Sequence, residues 1–368
     1  MKWILLLASI TWSLFCPVVM AIIPPEKLAS LRNDAEIDLS CCGVTAEDVE
    51  IILGQLKDNP KLESLDLSQN STLGVEGVGK VLEGLFELPN LKSLNLSRIY
   101  FGDQNLEKIF MLSKEFPSPN LKSLDLSYNK LGEFGIVVLS KILEKFPNLE
   151  VLKLVGNRIG NVGVCALASL KPNGMLLNLD LSNNAIGSYG VKWVAKLLEH
   201  NVLLRNFSLA GNNIRRLSGF SEGLNHCTNL VSLDLSRNLI SDISALCKVL
   251  KDFPGLKRVD LACNSINDRS ANALQELLES TSLEELNLSS NSMGCKFADV
   301  INDRLQAGTV LKELNLTGNT IIVTWIGKNL KATRPDVVRI DELDPAKRPR
   351  ERDTSAELRA PKRAKVHE

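Results

Sequence analysis

Aromatic side chains make up only 5% of the 368 residues, so the rigid anchors on which binding surfaces usually concentrate their energy are scarce. Histidine is scarcer still. His200, His226 and His367 stand far apart, and no serine or cysteine has an oriented base in a motif beside it, which argues against both a metal cluster and a nucleophilic triad. No glycine-rich loop leads into a helix with a phosphate-binding lysine. The chain is therefore expected to be no enzyme, with no cofactor and no metal. It also lacks net charge, with 43 basic and 43 acidic residues, and it lacks an apolar run long enough to span a bilayer.

The longest apolar run, Ile4 to Phe15, follows Lys2 and precedes Val19-Met20-Ala21, whose small residues suit a cleavage site. Residues 1–21 read as a secretory signal removed after Ala21. The bulky Phe15 argues against lipid attachment at Cys16. Seven further cysteines, Cys41, Cys42, Cys165, Cys227, Cys247, Cys263 and Cys295, are odd in number and scattered, with no cysteine-rich cap at either end. That is no disulfide framework, and the expectation is small thiols buried in a core in a reducing destination. An export leader and reducing-type cysteines point in opposite directions.

What the chain has in abundance is a pattern. L-x-x-L-x-L-x-x-N-x-L, as in Leu121 to Leu131, recurs with its turn residue at Cys42, Asn70, Ile99, Asn129, Asn157, Asn184, Asn212, Asn238, Asn264, Asn291 and Asn319, eleven copies spaced 26 to 30 apart. This is the leucine-rich repeat signature. Leu-x-Leu predicts a short strand with both leucines inward, and the asparagine sits where the chain turns, its amide able to satisfy backbone groups that no ladder reaches. Between strands the apolar residues change to helical period: Val75, Val78, Val81, Leu82, Leu85 and Phe86 in the second copy, Val191, Val194, Ala195, Leu197 and Leu198 in the sixth, and Ala271, Leu274, Leu277 and Leu278 later. The helices are expected to follow a glycine, as at Gly77, Gly135, Gly163 and Gly190. One copy cannot bury its own apolar face, so copies stack, and a thin strand alternating with a wide helix forces the stack to curve. Pro24-Pro25 starts a short helix at the first end, and Val338-Arg339-Ile340 is a closing strand at the other. The expected fold is an α/β curved solenoid over residues 22–343, a horseshoe with parallel strands on the concave side and helices on the convex side.

Copies reading L-x-x-L-x-L-x-x-N-x-I-G-x-x-G-V-x-x-L, as in Leu149 to Leu167 and Leu176 to Val194, resemble the ribonuclease-inhibitor subclass of leucine-rich repeats across Ile37 to Asn329. The resemblance is specific for fold and loose for function, since the subclass includes inhibitors, GTPase-activating proteins of Ran and sensing regions of innate immune receptors. It implies a horseshoe that binds proteins.

The outward position between the strand leucines holds Asp38, Asp66, Asn95, Asp125, Lys153, Asp180, Ser208, Asp234, Asp260, Asn287 and Asn315. The candidate partner-binding residues are Asp38, Asp66, Asp125, Lys153, Asp180, Asp234 and Asp260, a row that favours a basic protein partner. Leu-Asp-Leu-Ser is also what the repeat writes by default, so the same aspartates read equally as a solvated surface. Tyr100-Phe101, beside the break in the asparagine series at Ile99, read either as a partner site or as repeat degeneracy. Asn70, Asn95, Asn206, Asn287 and Asn315 each begin an N-glycosylation sequon.

Between Pro345 and Glu368 stand eight basic and four acidic residues, leaving 35 basic and 39 acidic elsewhere. Residues 344–368 read as a disordered basic tail. Lys347, Arg348, Arg350 and Arg352, then Lys362, Arg363 and Lys365, resemble a two-part nuclear-import signal, which implies an import receptor. Nucleic-acid binding is not expected except through this tail. Leader, thiols and tail are reconciled by a secreted effector acting in the nucleus or cytosol of a target cell. The alternatives are a resident scaffold in the cytoplasm or nucleus of the producing cell, a GTPase-activating protein resembling those of Ran, or an extracellular recognition protein. A ribonuclease inhibitor fits least, because the concave face has no aromatic lining.

Overall fold

A computed structural model describes residues 23–103, 106, 120–169, 175–280, 282–319 and 337–339. The leader, the basic tail and the Pro117-Ser118-Pro119 stretch lie outside the described residues. Twelve strands form one parallel sheet in strict sequence order. The first eleven are three residues long: β1 Glu36–Asp38, β2 Ser64–Asp66, β3 Ser93–Asn95, β4 Ser123–Asp125, β5 Val151–Lys153, β6 Asn178–Asp180, β7 Asn206–Ser208, β8 Ser232–Asp234, β9 Arg258–Asp260, β10 Glu285–Asn287 and β11 Glu313–Asn315. β12, Val338–Arg339, closes the described sheet against β11. Register is one to one, Leu65 opposite Leu94 and Leu94 opposite Leu124, so like residues stack on like.

The middle residue of each strand is buried and its neighbours face outward, as the two-residue period of a strand requires. Helices return the chain: α1 Pro25–Ser30, α2 Ala46–Leu56, α3 Gly74–Gly84, α4 Glu133–Leu143, α5 Gly160–Ala168, α6 Val191–His200, α7 Phe220–Leu224, α8 Ser244–Leu250, α9 Ala271–Leu278 and α10 Cys295–Ala307. α2 packs on α3, and from α4 to α10 each packs on the next along the stack. Helices pack ~8–10 Å apart where strands pair at ~4.8 Å, and the horseshoe curvature follows from that mismatch. Pro24 precedes α1, which covers the first repeat as its prolines suggest, with Ile23 and Leu31 buried. α2 begins with a reciprocal cap: Thr45 Oγ1 accepts from the Asp48 N–H, and Asp48 Oδ2 accepts from the Thr45 N–H.

The apolar core is continuous from Ile23 to Val337. The helical stripes lie in it with one correction: Phe86 is exposed, because α3 ends at Gly84 and the turn of 3-10 helix that follows rotates Phe86 outward while keeping Leu85 inside. The glycines also differ from expectation. Gly77, Gly135 and Gly163 lie inside the first turn of their helices, and only Gly190 precedes one. Their role is space: a Cβ on Gly163 would stand 2.6 Å from Ile159 and 3.4 Å from Ile136 of the preceding repeat.

Candidate functional site

Every aspartate of the row lies on the concave side of the sheet, and each has a local duty. Oδ1 of Asp38, Asp66, Asp125, Asp180, Asp234 and Asp260 accepts from the backbone N–H two residues on, at 2.8 to 2.9 Å. Asn95, Asn287 and Asn315 do the same. Three residues after the strand's outward residue, and one after the N–H that the turn engages where it is an Asp or Asn, the backbone is left-handed in every repeat, from Cys41 (φ 55°) and Gln69 (φ 62°) through Gly156 (φ 66°) to Ser290 (φ 54°) and Gly318 (φ 72°). Then comes the turn residue, an asparagine in all but the first and third repeats, where Cys42 and Ile99 stand, and buried except for the half-buried Asn264. The Leu-Asp-Leu-Ser phrase is thus structural through one carboxylate oxygen.

The second oxygen faces the floor. Asp66 Oδ2 accepts from Asn95 at 2.8 Å, Asp260 Oδ2 from Asn287 at 3.0 Å, and Asp125 Oδ2 stands 3.7 Å from Lys153 Nζ. Hydrogen bonds from Ser40 hold the Asp38 carboxyl below the ordinary range, with Lys27 adding to the effect. Burial pushes Asp260 up, and the charge of Asp234 adds to that. Lys153, the one cation of the row, lies opposite Asp125 and Asp180 in neighbouring strands. The row is brought together as the register requires.

Sequence reasoning missed the outward position before the central leucine, although strand alternation puts both flanking residues on the same face. There Arg258, Glu285 and Glu313 join Asp234 and Asp260 around a cavity of about 280 Å³ at the last strands. A second hollow of about 350 Å³ is lined by Lys153, Asp180, Asn206, Ser208 and Asp234. Along the rim one residue earlier runs a ladder of opposite charges: Lys92 to Glu63, Lys122 to Glu150, and Glu284 between Lys257 and Lys312. Those two lysines hold the Glu284 carboxyl down at about 2.

The sequon asparagines divide. Asn70 is 1% exposed, and its Nδ2 donates to the carbonyls of Leu39, Leu67 and Ser68, so a glycan there is incompatible with the closed ladder. Asn95 and Asn287 spend their amides on the neighbouring aspartates. Asn206 is exposed, though it donates to Asn178, and Asn315 is half-buried. The expectation of buried thiols holds for Cys42, Cys227 and Cys247 and fails for Cys41 and Cys263. Both exposed thiols occupy the left-handed position before the turn residue, where side chains leave the body. Tail residues Lys347, Arg348, Arg350, Arg352, Lys362, Arg363 and Lys365 lie outside the described residues. Among the described residues no group of histidine, cysteine and carboxylate side chains could hold a metal, and no helix is long and apolar enough to cross a membrane.

A model described as leucine-rich repeats in two copies matches residues 202–248, and one described as a leucine-rich repeat matches residues 58–82, 118–140, 147–168 and 279–294. The ribonuclease inhibitor of Sus scrofa is 30% identical over 304 residues, 78% of this chain and 65% of the relative. The NACHT, LRR and PYD domains-containing protein 3 of Rattus norvegicus is 31% identical over 215 residues, 56% of this chain. The chain spans only 20% of the length of that relative and just under two thirds of the inhibitor. Among solved structures, an internalin (inlF) from Listeria monocytogenes aligns with a TM-score of 0.49 at 19% identity, covering 88% of this chain and 98% of the other.

Proposed function

The chain is a leucine-rich-repeat protein resembling the ribonuclease-inhibitor subclass, and we propose that it works as a non-catalytic scaffold whose concave face takes a basic segment of a protein partner. The observation that carries this reading is the carboxylate row. Asp180, Asp234 and Asp260 are fixed by their first oxygen and turn the second to the floor, where Asp234 Oδ2 also accepts from Ser208 and Asp260 Oδ2 from Asn287, and Glu285 and Glu313 join them around the last strands. Pre-organised charge of one sign on a concave surface attracts and orients a partner of the other sign.

The test is binding of a labelled peptide of alternating arginine and alanine to the full chain and to D180N/D234N/D260N. Asparagine keeps the acceptor that closes each turn and removes the charge. Binding about tenfold weaker with unchanged melting supports the floor as the site. Unchanged binding overturns it.

The proposal extends to a route: export by residues 1–21, followed by entry into the nucleus or cytosol of a target cell with the tail engaging an import receptor. The free, exposed thiols of Cys41 and Cys263 support a reducing destination. A tagged full-length chain should leave the producing cell, and a chain lacking 1–21 should enter the nucleus only with Lys347 to Glu368 present. A full-length chain that stays in the cytoplasm or nucleus of its producer, whatever the tail does, makes a resident scaffold the better reading.

A second reading, inhibition of a ribonuclease, draws on the identity with the Sus scrofa protein across most of this chain. Undiminished ribonuclease turnover at excess of the purified chain would remove it.

A further inference from the structure

We propose that the flank following the strands, from the third to the seventh repeat, is a second interaction surface, built to hold an acidic polypeptide segment. The observations are independent of the concave floor. On this flank Arg98 lies over the Tyr128 ring at 4.2 Å, and Lys130 lies over the Tyr100 ring at 4.9 Å. The first stack has a built seat. Arg98 and Tyr128 hold the left-handed position of successive repeats, and the next repeat has glycine there. A Cβ on Gly156 would stand 2.4 Å from the Tyr128 ring, so the ring is seated between that glycine and the guanidinium.

The positive charge continues along the stack. Arg158 is exposed in the fifth repeat. In the seventh, the N–H groups of Arg215 and Arg216 both donate to Ser188 Oγ, at 3.0 and 3.1 Å, which fixes the backbone of these exposed arginines against the residue before Tyr189. Arg98, Lys130, Arg158, Arg215 and Arg216 have no carboxylate within ion-pair distance among the described residues. Lys92, Lys122, Lys153, Lys257 and Lys312, on the concave side and its rim, each have one. Two carboxylates lie on the flank itself. Asp103 accepts from the Gly132 N–H at 2.6 Å, and Glu133 lies against Gly160. The flank therefore carries a surplus of cations that nothing in the described chain neutralises.

Apolar groups are interleaved with that charge at one register. Five residues after the turn asparagines Asn129, Asn157 and Asn184 stand Phe134, Val162 and Tyr189, exposed by 83%, 53% and 85%. Three successive copies exposing a large apolar side chain at one site form a stripe. An extended peptide presents every second side chain on one side at ~6.7 Å, between the strand and helix spacings of the stack. Alternating acidic and apolar residues would then meet the cations and the stripe in turn. Two of the flank's rings are closed to stacking bases, Tyr128 by Arg98 and the seat on Gly156 and Tyr100 by Lys130, whereas Phe134 and Tyr189 are open, so a single-stranded nucleic acid is the alternative occupant that the test must separate.

The experiment measures binding of a fluorescent peptide of alternating glutamate and leucine to the full chain, with a glutamine–leucine peptide and oligothymidylate as competitors. R98E/K130E/R158E should weaken binding at least about tenfold, as opposed charges replace complementary ones. F134S/Y189S, which alters two exposed side chains only, should weaken it as well, and carries the test if the charge-reversed chain melts early. D180N/D234N/D260N should leave it unchanged, which separates this surface from the concave one. Equal binding by both flank variants, equal affinity for the glutamine peptide, or tighter binding of oligothymidylate than of the acidic peptide would each overturn the proposal.

Discussion

Asn157 ties its own repeat to Asn129 of the repeat before. Its Oδ1 accepts from the N–H of Asn129 and of Leu131, each at 3.0 Å, and its Nδ2 donates to the carbonyls of Leu126 and Leu154 at 3.1 and 3.0 Å. All this happens in the core. Asn157→Ala leaves these backbone groups short of partners where water cannot replace them, at ~1–3 kcal/mol for each group left unpaired. A loss of at least about 3 kcal/mol in urea unfolding is expected, with Asn157→Asp, which keeps the acceptor, between the two. A loss below about 1 kcal/mol would mean that the repeat closes without its asparagine.

Two glycine substitutions should act with opposite sign. Gly223 in α7 faces the backbone of α6: a Cβ there would stand 2.4 Å from the Ala195 carbonyl oxygen and 2.5 Å from its Cα. Backbone cannot swing aside, so Gly223→Ala should cost ~1–3 kcal/mol or more through forced separation of two helices. Gly54 in α2 has nothing within 4 Å of its would-be Cβ. Gly54→Ala should add ~0.5–1 kcal/mol by reducing the freedom of the unfolded chain. Thermal melts of the two variants against the parent read both.

Much of the architecture could be read from the repeat, because the phrase that names it is also the phrase that builds it. Leucine spacing gives strand and register, and the asparagine gives the turn. The break at Ile99 was legible as a break, but not its harmlessness. An asparagine there would accept from the Leu73 N–H, and that group instead finds the Asn70 carbonyl at 3.0 Å. The floor was half legible. The aspartates were seen, but the turns that hold one oxygen of each were not, because the acceptor and the N–H two residues on look like any surface pair until the left-handed residue after them is known. Exposed Cys41 and Cys263 went unseen for the same reason. The flank was glimpsed only at Tyr100, since cation and ring meet across repeats 30 residues apart.

Acid should act on the rim. Lys312 and Lys257 depress the Glu284 carboxyl to about 2 from an ordinary value near 4.5. A depressed carboxyl contributes stability that is present above the unfolded value and is lost as pH falls through the folded one. Glu284→Gln should therefore be less stable than the parent at pH 7, and the gap should close between about pH 4.5 and 2. A gap that stays constant across that window would show that the lysines do not act on this charge.

Alkali should act on the core thiols. Cys227 and Cys247 are buried, and burial pushes each thiol from 9.0 up to about 12. Between those values the unfolded chain gives up a proton that the folded chain keeps, so folding stability falls as pH rises, by ~1.4 kcal/mol per pH unit for each thiol. Below pH 9 neither thiol contributes to the slope. Lysines and tyrosines titrate in the same window, so the readout is a difference: Cys227→Ala and Cys247→Ala should each flatten the parent's stability loss between pH 9 and 12 by about one proton. Reactivity should separate the same residues at pH 8. Cys41 and Cys263 are exposed and should be labelled in the native chain, while Cys227 and Cys247 wait for unfolding. Native labelling of Cys247 as fast as that of Cys263, or a pH slope unchanged in both alanine variants, would show that the repeats around α7 and α8 open far more readily than their packing implies.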